Sequence, residues 1–130
     1  MSRPDPVRDM LRQRGTSPAV VRGGLDYLLR RWRKIVEGVE RGGGDAETEM
    51  DDYLNDMDAR QLLQDALAVA GGQRQAARLA EEIDSLDERF QAATLPVDVC
   101  VWGPKNAAKH NWTPQQNWWY FRLPRGWRGG

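Results

Sequence analysis

Cys100 is the only cysteine in the chain and His110 the only histidine. With Asp98 close by, they sketch a Cys–His–Asp site, in which an imidazole takes the thiol proton and a carboxylate orients the ring. The spacing fits no nucleophile motif. Cys100 also lies among Val97, Val99 and Val101, where a thiol behaves as a small buried hydrophobe. The stretch DDYLNDMDARQ offers a second chemistry through Asp51, Asp52, Asp56 and Asp58. A calcium loop of the EF-hand type needs ligands at alternating positions, a mid-loop glycine and a closing glutamate. Tyr53 and Leu54 interrupt that spacing and the glycine is missing. A general acid–base pair needs burial to raise one carboxylate's pKa, and the surrounding sequence signals none. One cysteine and one histidine cannot build a structural zinc site. The sequence thus assigns no catalytic residue, no metal ligand and no cofactor, and leans away from an enzyme.

One constellation stands out. The stretch NWWYFRLPRGWRGG, residues 117–130, groups four aromatics, a proline and a basic tail with one more tryptophan. Read as a strand, it turns Trp118 and Tyr120 to one side and Trp119, Phe121 and Leu123 to the other. Only one set can face a core. Left bare, Trp118 and Tyr120 would form a patch of about 300–500 Å², as large as a typical monomer shows. Trp102 and Trp112 are the expected covering residues. Tryptophan, tyrosine and arginine are the types enriched at binding hot spots, so Trp118, Tyr120, Arg122, Arg125 and Trp127 are the candidate partner-binding residues. The leading expectation is a non-enzymatic protein–protein interaction module of adaptor or inhibitor type. The alternative is single-stranded nucleic-acid binding, with aromatics interleaved among Lys105, Lys109, Arg122, Arg125 and Arg128. A pI near 6.6 argues against it, because a nucleic-acid-binding domain is expected above about 9.

The elements that must position these residues are mostly helical. Ser17 is an N-cap and Pro18 a first helical residue. Val21, Leu25, Leu28, Trp32, Ile35 and Val39 then recur at helical spacing, and Gly42 to Gly44 end the run. Residues 45–70 read as two helical pieces. Met50, Tyr53, Leu54 and Met57 line the first, and Leu62, Leu63, Ala66, Leu67 and Ala70 the second. The phase slips between them, and Asp58 with Gln61 suggests a capping box and a break near residues 56–58. Ala76, Leu79, Ile83, Leu86, Phe90 and Ala93 mark a third helix with Glu81, Glu82, Asp84, Asp87 and Glu88 on its outside, closed by Pro96. The alternation in VDVCVWG and the β-rich run NWWYFRLP predict an antiparallel pair joined by a long loop 103–117, with one helical turn at TPQQ. The expected fold class is α+β, mainly α: three to four helices packed against a C-terminal Trp-rich antiparallel β-hairpin. Residues 1–130 are expected as a single domain, with a flexible arm 1–16, a helical part 17–94, a hairpin 95–124 and a flexible tail 125–130.

Composition fits that picture. Hydrophobic residues are 40% and charged residues 29%, as in a globular chain. Sixteen arginines against three lysines read as the coding bias of a GC-rich bacterial genome. Net charge is zero but segregated. Residues 1–41 hold ten basic and five acidic residues, 42–98 four and fourteen, and 99–130 five and none. Basic ends packed beside an acidic middle are the simple expectation. With no signal-type or membrane-spanning apolar run, the protein is expected to be soluble and cytoplasmic, without a membrane partner. The NWT sequon at Asn111 to Thr113 therefore carries no weight.

Overall fold

The computed structural model describes residues 5–42, 44–71 and 74–127. Five α-helices and two short strands follow in the order α1 (Pro6–Gln13), α2 (Pro18–Arg41), α3 (Ala46–Ala70), α4 (Arg74–Ala92), β1 (Thr94–Pro96), α5 (Pro104–His110) and β2 (Arg122–Pro124), with a turn of 3₁₀ helix at Trp118–Phe121. The architecture is α+β and mainly α. Among the described residues, no helix is long and apolar enough to cross a membrane.

The centre is built by α2, α3 and α4. Residues Val21, Leu25, Leu28, Leu29, Trp32, Ile35 and Val36 of α2 are buried against Ala76, Leu79, Ile83, Leu86 and Phe90 of α4. These are the stripes that the helical spacing marks out. The Ser17 hydroxyl accepts from the Val20 N–H at the start of α2, one turn in, as an N-cap does. Inside α2, Gly24 stands at φ 56° and ψ −140° and kinks the helix. A β-carbon there would meet nothing within 4 Å, so the constraint is backbone conformation and not space. Gly24→Ala is therefore expected to cost roughly 1–3 kcal/mol, measurable by urea unfolding. A cost near zero would show that the kink relaxes freely.

Three expectations are corrected. Residues 6–13, expected in a flexible arm, form α1, capped by the Asp5 carboxylate on the Arg8 N–H and held by buried Val7 and Leu11. The break near 56–58 does not exist, since α3 is continuous. Its buried residues are Tyr53, Met57, Ala59, Arg60, Leu63, Ala66 and Ala70. The phase slips in the sequence because an arginine occupies one rung of the buried face. Asp58 and Gln61 do not form a capping box either: Asp58 accepts from Trp102 Nε1 and the Tyr120 hydroxyl, and Gln61 bonds Asp65 and Asn117.

The hairpin exists but is shifted. Thr94, Leu95 and Pro96 pair antiparallel with Pro124, Leu123 and Arg122. The alternating run 97–101 is not a strand: Val99 is 56% exposed and Cys100 buried, with the Val97 and Val101 N–H groups bonded to the Phe121 and Tyr120 carbonyls. Most of the long loop is structured. Its Pro104 starts α5, and Asn111 ends it in the left-handed conformation. The turn at TPQQ is present, with the Thr113 hydroxyl accepting from the Gln116 N–H.

Candidate functional site

The C-terminal aromatics show how the fold spends its apolar surface. Trp118 to Phe121 are helical, so the strand alternation does not apply. Trp119, Tyr120 and Phe121 are all buried. Tyr120 stacks on Trp112 with ring centroids 3.9 Å apart, and Trp112 stacks on His110 at 4.5 Å. Trp112 is thus the cover the sequence called for. The Tyr120 hydroxyl donates to Asp58 at 2.7 Å, and burial pushes its pKa well above the usual phenol value. Trp118 is half-buried against Phe90 and beside the Arg60 guanidinium. Arg122 donates to the Thr94 hydroxyl and carbonyl and to the Gln91 carbonyl. Arg125 is exposed, with Nε on the Ala92 carbonyl. Burial removes Trp119, Tyr120 and Phe121 from any base-stacking platform on the described surface.

Trp127 differs from these. The residues Pro124-Arg125-Gly126-Trp127 form a tight turn in which the Trp127 N–H donates to the Pro124 carbonyl at 3.1 Å. Gly126 supplies the positive φ of 87° that this turn requires. The Arg125 N–H also bonds the Ala93 carbonyl, so residues 125–127 of the expected flexible tail are anchored; residues 128–130 lie outside the described ones. The turn folds Trp127 back onto Tyr53 of α3, with centroids 5.3 Å apart. Tyr53 is itself fixed, its hydroxyl donating to the Arg122 carbonyl at 2.6 Å.

Trp127 stands at the rim of a cleft of about 370 Å³ between α2 and α3, a volume within the range of small-molecule and side-chain pockets. Arg31, Lys34, Ile35, Gly38 and Val39 line it from α2, each one helical turn or less from the next. Glu49, Asp52, Tyr53 and Asp56 line it from α3 with the same spacing. Gly42, Gly44 and Pro124 complete the wall. Among the described residues, none of the five charged side chains is in an ion pair. The Asp56 carboxyl is half-buried, and its pKa is pushed up to about 6 by desolvation, opposed by Arg31 and reinforced by Asp52. This corrects the expectation that no carboxylate in DDYLNDMD is buried enough to shift. Asp51 and Asp52 remain exposed.

A second cluster centres on Arg60. Arg60 is 3% exposed and grips Asp87 of α4 through Nε and Nη2 at 3.0 and 2.8 Å. Asp87 also accepts from Trp32 Nε1 at 3.0 Å. The guanidinium lies 4.4 Å from the Trp119 ring, 5.7 Å from Trp32 and 5.8 Å from Trp118. Asp87, expected on the outside of its helix, instead ties α2, α3 and α4 together. Its spacing carried a signal: Asp87 stands four residues after Ile83 and three before Phe90, at the border of the apolar stripe, whereas Asp84 and Glu88 lie farther round the helix.

The Cys–His–Asp sketch does not assemble into a nucleophile. Cys100 is buried, and desolvation holds its thiol above its ordinary pKa, the condition of an inert structural cysteine. His110 is exposed with its ring on Trp112, and Asp98 is exposed. Among the described residues, no group of three histidine, cysteine, aspartate or glutamate side chains is arranged to hold a metal ion. No protein-family model matches this chain, and comparison with curated proteins and with solved structures found no similar protein.

Proposed function

We propose that the protein is an interaction module of adaptor or inhibitor type, and that it receives a partner in the cleft between α2 and α3, with Trp127 as the anchor. The single observation that carries this reading is the placement of Trp127. A glycine-dependent turn holds a partly buried indole against Tyr53, in the lining of a cleft whose charged walls have no ion-pair partners among the described residues. Of the five candidates in the C-terminal segment, Trp127 alone lines that cleft, and Arg125 stands beside it, exposed. Tryptophan is among the residue types at which binding energy concentrates.

The test is a pull-down comparing the intact chain, a chain truncated after Pro124 and Trp127→Ala, each first shown to be folded by circular dichroism. A specific partner is expected to be lost from both altered chains. Truncation of a hot-spot tryptophan costs at least about 2 kcal/mol, a factor of roughly 30 in affinity. Equal recovery by all three chains removes Trp127 as the anchor and the cleft with it.

A further inference from the structure

The cleft has an apolar floor and an imbalance of charge. Ile35, Val39, Tyr53 and Pro124 supply the floor, and Trp127 closes one side. Three carboxylates, Glu49, Asp52 and Asp56, face two cations, Arg31 and Lys34. With all five ionised the lining carries one net negative charge, and within it the carboxylates share one helix face beside the two aromatic rings. The half-buried Asp56 carboxylate, in no ion pair among the described residues, has lost hydration that Arg31 offsets only in part. A planar cation with an apolar stem would replace it while lying on the indole face.

We infer that the cleft takes an arginine side chain of the partner protein, its stem on the Ile35–Val39–Tyr53 floor, its guanidinium against Trp127 and the Asp52–Asp56 edge of α3. This rests on the interaction-module reading and names the chemistry of the partner. Arginine fits better than lysine, because a flat guanidinium can stack on an aromatic ring and serve two carboxylates at once. The groups facing Asp56 are Arg31 and Lys34 from α2, Glu49, Asp52 and Tyr53 from α3, and Trp127 from the C-terminal turn. Arg31 and Lys34 oppose the guest, so its affinity depends on the carboxylates staying ionised.

That dependence has a sign. A carboxyl whose pKa is raised in the folded state holds its proton more tightly there than in the unfolded chain, so ionised Asp56 costs stability above about pH 6. The cost is relieved as the pH falls through that value, and so is the attraction for a cation. Asp56→Asn is therefore expected to raise the melting temperature at neutral pH while weakening the guest. A purely structural Asp56 has no reason to show the second effect.

The experiment is fluorescence anisotropy with the full chain and three fluorescein-labelled peptides, whose Leu-Arg-Leu, Leu-Gln-Leu or Leu-Glu-Leu centres sit between Gly-Ser repeats. The arginine peptide is expected to bind about tenfold or more tighter than the other two, with its affinity falling as the pH drops through about 6. Asp56→Asn is expected to weaken it roughly three- to tenfold, the scale of one partly desolvated ion pair. Arg31→Gln is expected to strengthen it, the opposite of what a general loss of folding would do. Equal binding of the three peptides, preference for the glutamate peptide, or no binding at all overturns the arginine assignment. In those cases a partner lost on Trp127→Ala in the pull-down still upholds the cleft. Arginine-peptide binding that ignores both Trp127→Ala and Asp56→Asn puts the arginine site elsewhere and overturns the arginine assignment, and equal recovery in the pull-down overturns the cleft itself.

Discussion

Arg60→Ala is expected to destabilise the protein by about 3–5 kcal/mol. The guanidinium makes two hydrogen bonds to Asp87 and one to Gln64, and it packs against three indole rings. Its removal takes away the group packed between Trp32 of α2, Asp87 of α4 and the 3₁₀ turn Trp118–Phe121. It also leaves the Asp87 carboxylate, only 15% exposed, with Trp32 Nε1 as its one remaining side-chain donor. The desolvation of an unpaired carboxylate dominates this loss, and cation–π contact adds on the order of 1–2 kcal/mol. Because the penalty lies in the orphaned charge, a second change should reverse part of it. The pair Arg60→Met and Asp87→Leu removes both charges and keeps apolar volume, but it leaves the buried Trp32 Nε1–H without its acceptor, a residual cost of about 1–3 kcal/mol. Urea unfolding of the two single variants and the double variant gives the coupling directly. A double variant as unstable as Arg60→Ala alone would mean that charge burial does not set the cost.

Phe90→Ala is the other large effect, also about 3–5 kcal/mol, equivalent to a fall in melting temperature on the order of 10–20 °C. Phe90 is fully buried and joins the helical core to the C-terminal segment. Its ring lies 5.1 Å from Trp32 on one side and 6.0 Å from Trp118 on the other. Its carbonyl accepts from the Thr94 hydroxyl at 2.8 Å, where α4 gives way to β1. Truncation leaves a cavity that two tryptophans cannot close without moving, since both are tied by other contacts. Phe90→Leu keeps most of the volume and is expected to cost under about 1.5 kcal/mol. Thermal denaturation separates the two variants. Near-UV circular dichroism adds a structural readout, because Trp32 and Trp118 both lose a ring neighbour in Phe90→Ala. Equal stability of the alanine and leucine variants would show that the site collapses around the missing ring.

These two residues bracket what could be read from the chain. Phe90 falls on a run of apolar residues at helical spacing, so its burial follows from the sequence. Arg60 falls on the same kind of run in α3 and breaks its pattern, because propensity and periodicity treat a charged residue as a solvent-facing one. Only the approach of Asp87 from another helix makes its burial tolerable. The same holds for the candidate site. Tryptophan and arginine clustering marks out the C-terminal segment, but Tyr120 is covered by Trp112 and Arg122 serves the backbone of α4 and β1. The charged walls of the cleft, Arg31 and Lys34 from α2 and Glu49, Asp52 and Asp56 from α3, look like ordinary solvated faces.

The sequence by itself determined the stripes of α2 and α4, the Ser17–Pro18 start of α2 and the presence of an antiparallel pair after α4. The helix stripes and the cap depend on residues within a few positions of one another, where backbone sterics and side-chain period act directly, and the pair shows only as a local change from helical to extended composition. The tertiary structure decided the rest. It buried Arg60 against Asp87, moved the β ladder to Thr94–Pro96, wound Trp118–Phe121 into a helical turn, and set Trp127 on Tyr53 at the edge of a charged cleft. Each of those outcomes depends on a partner distant along the chain, whose desolvation and packing outweigh the local preference.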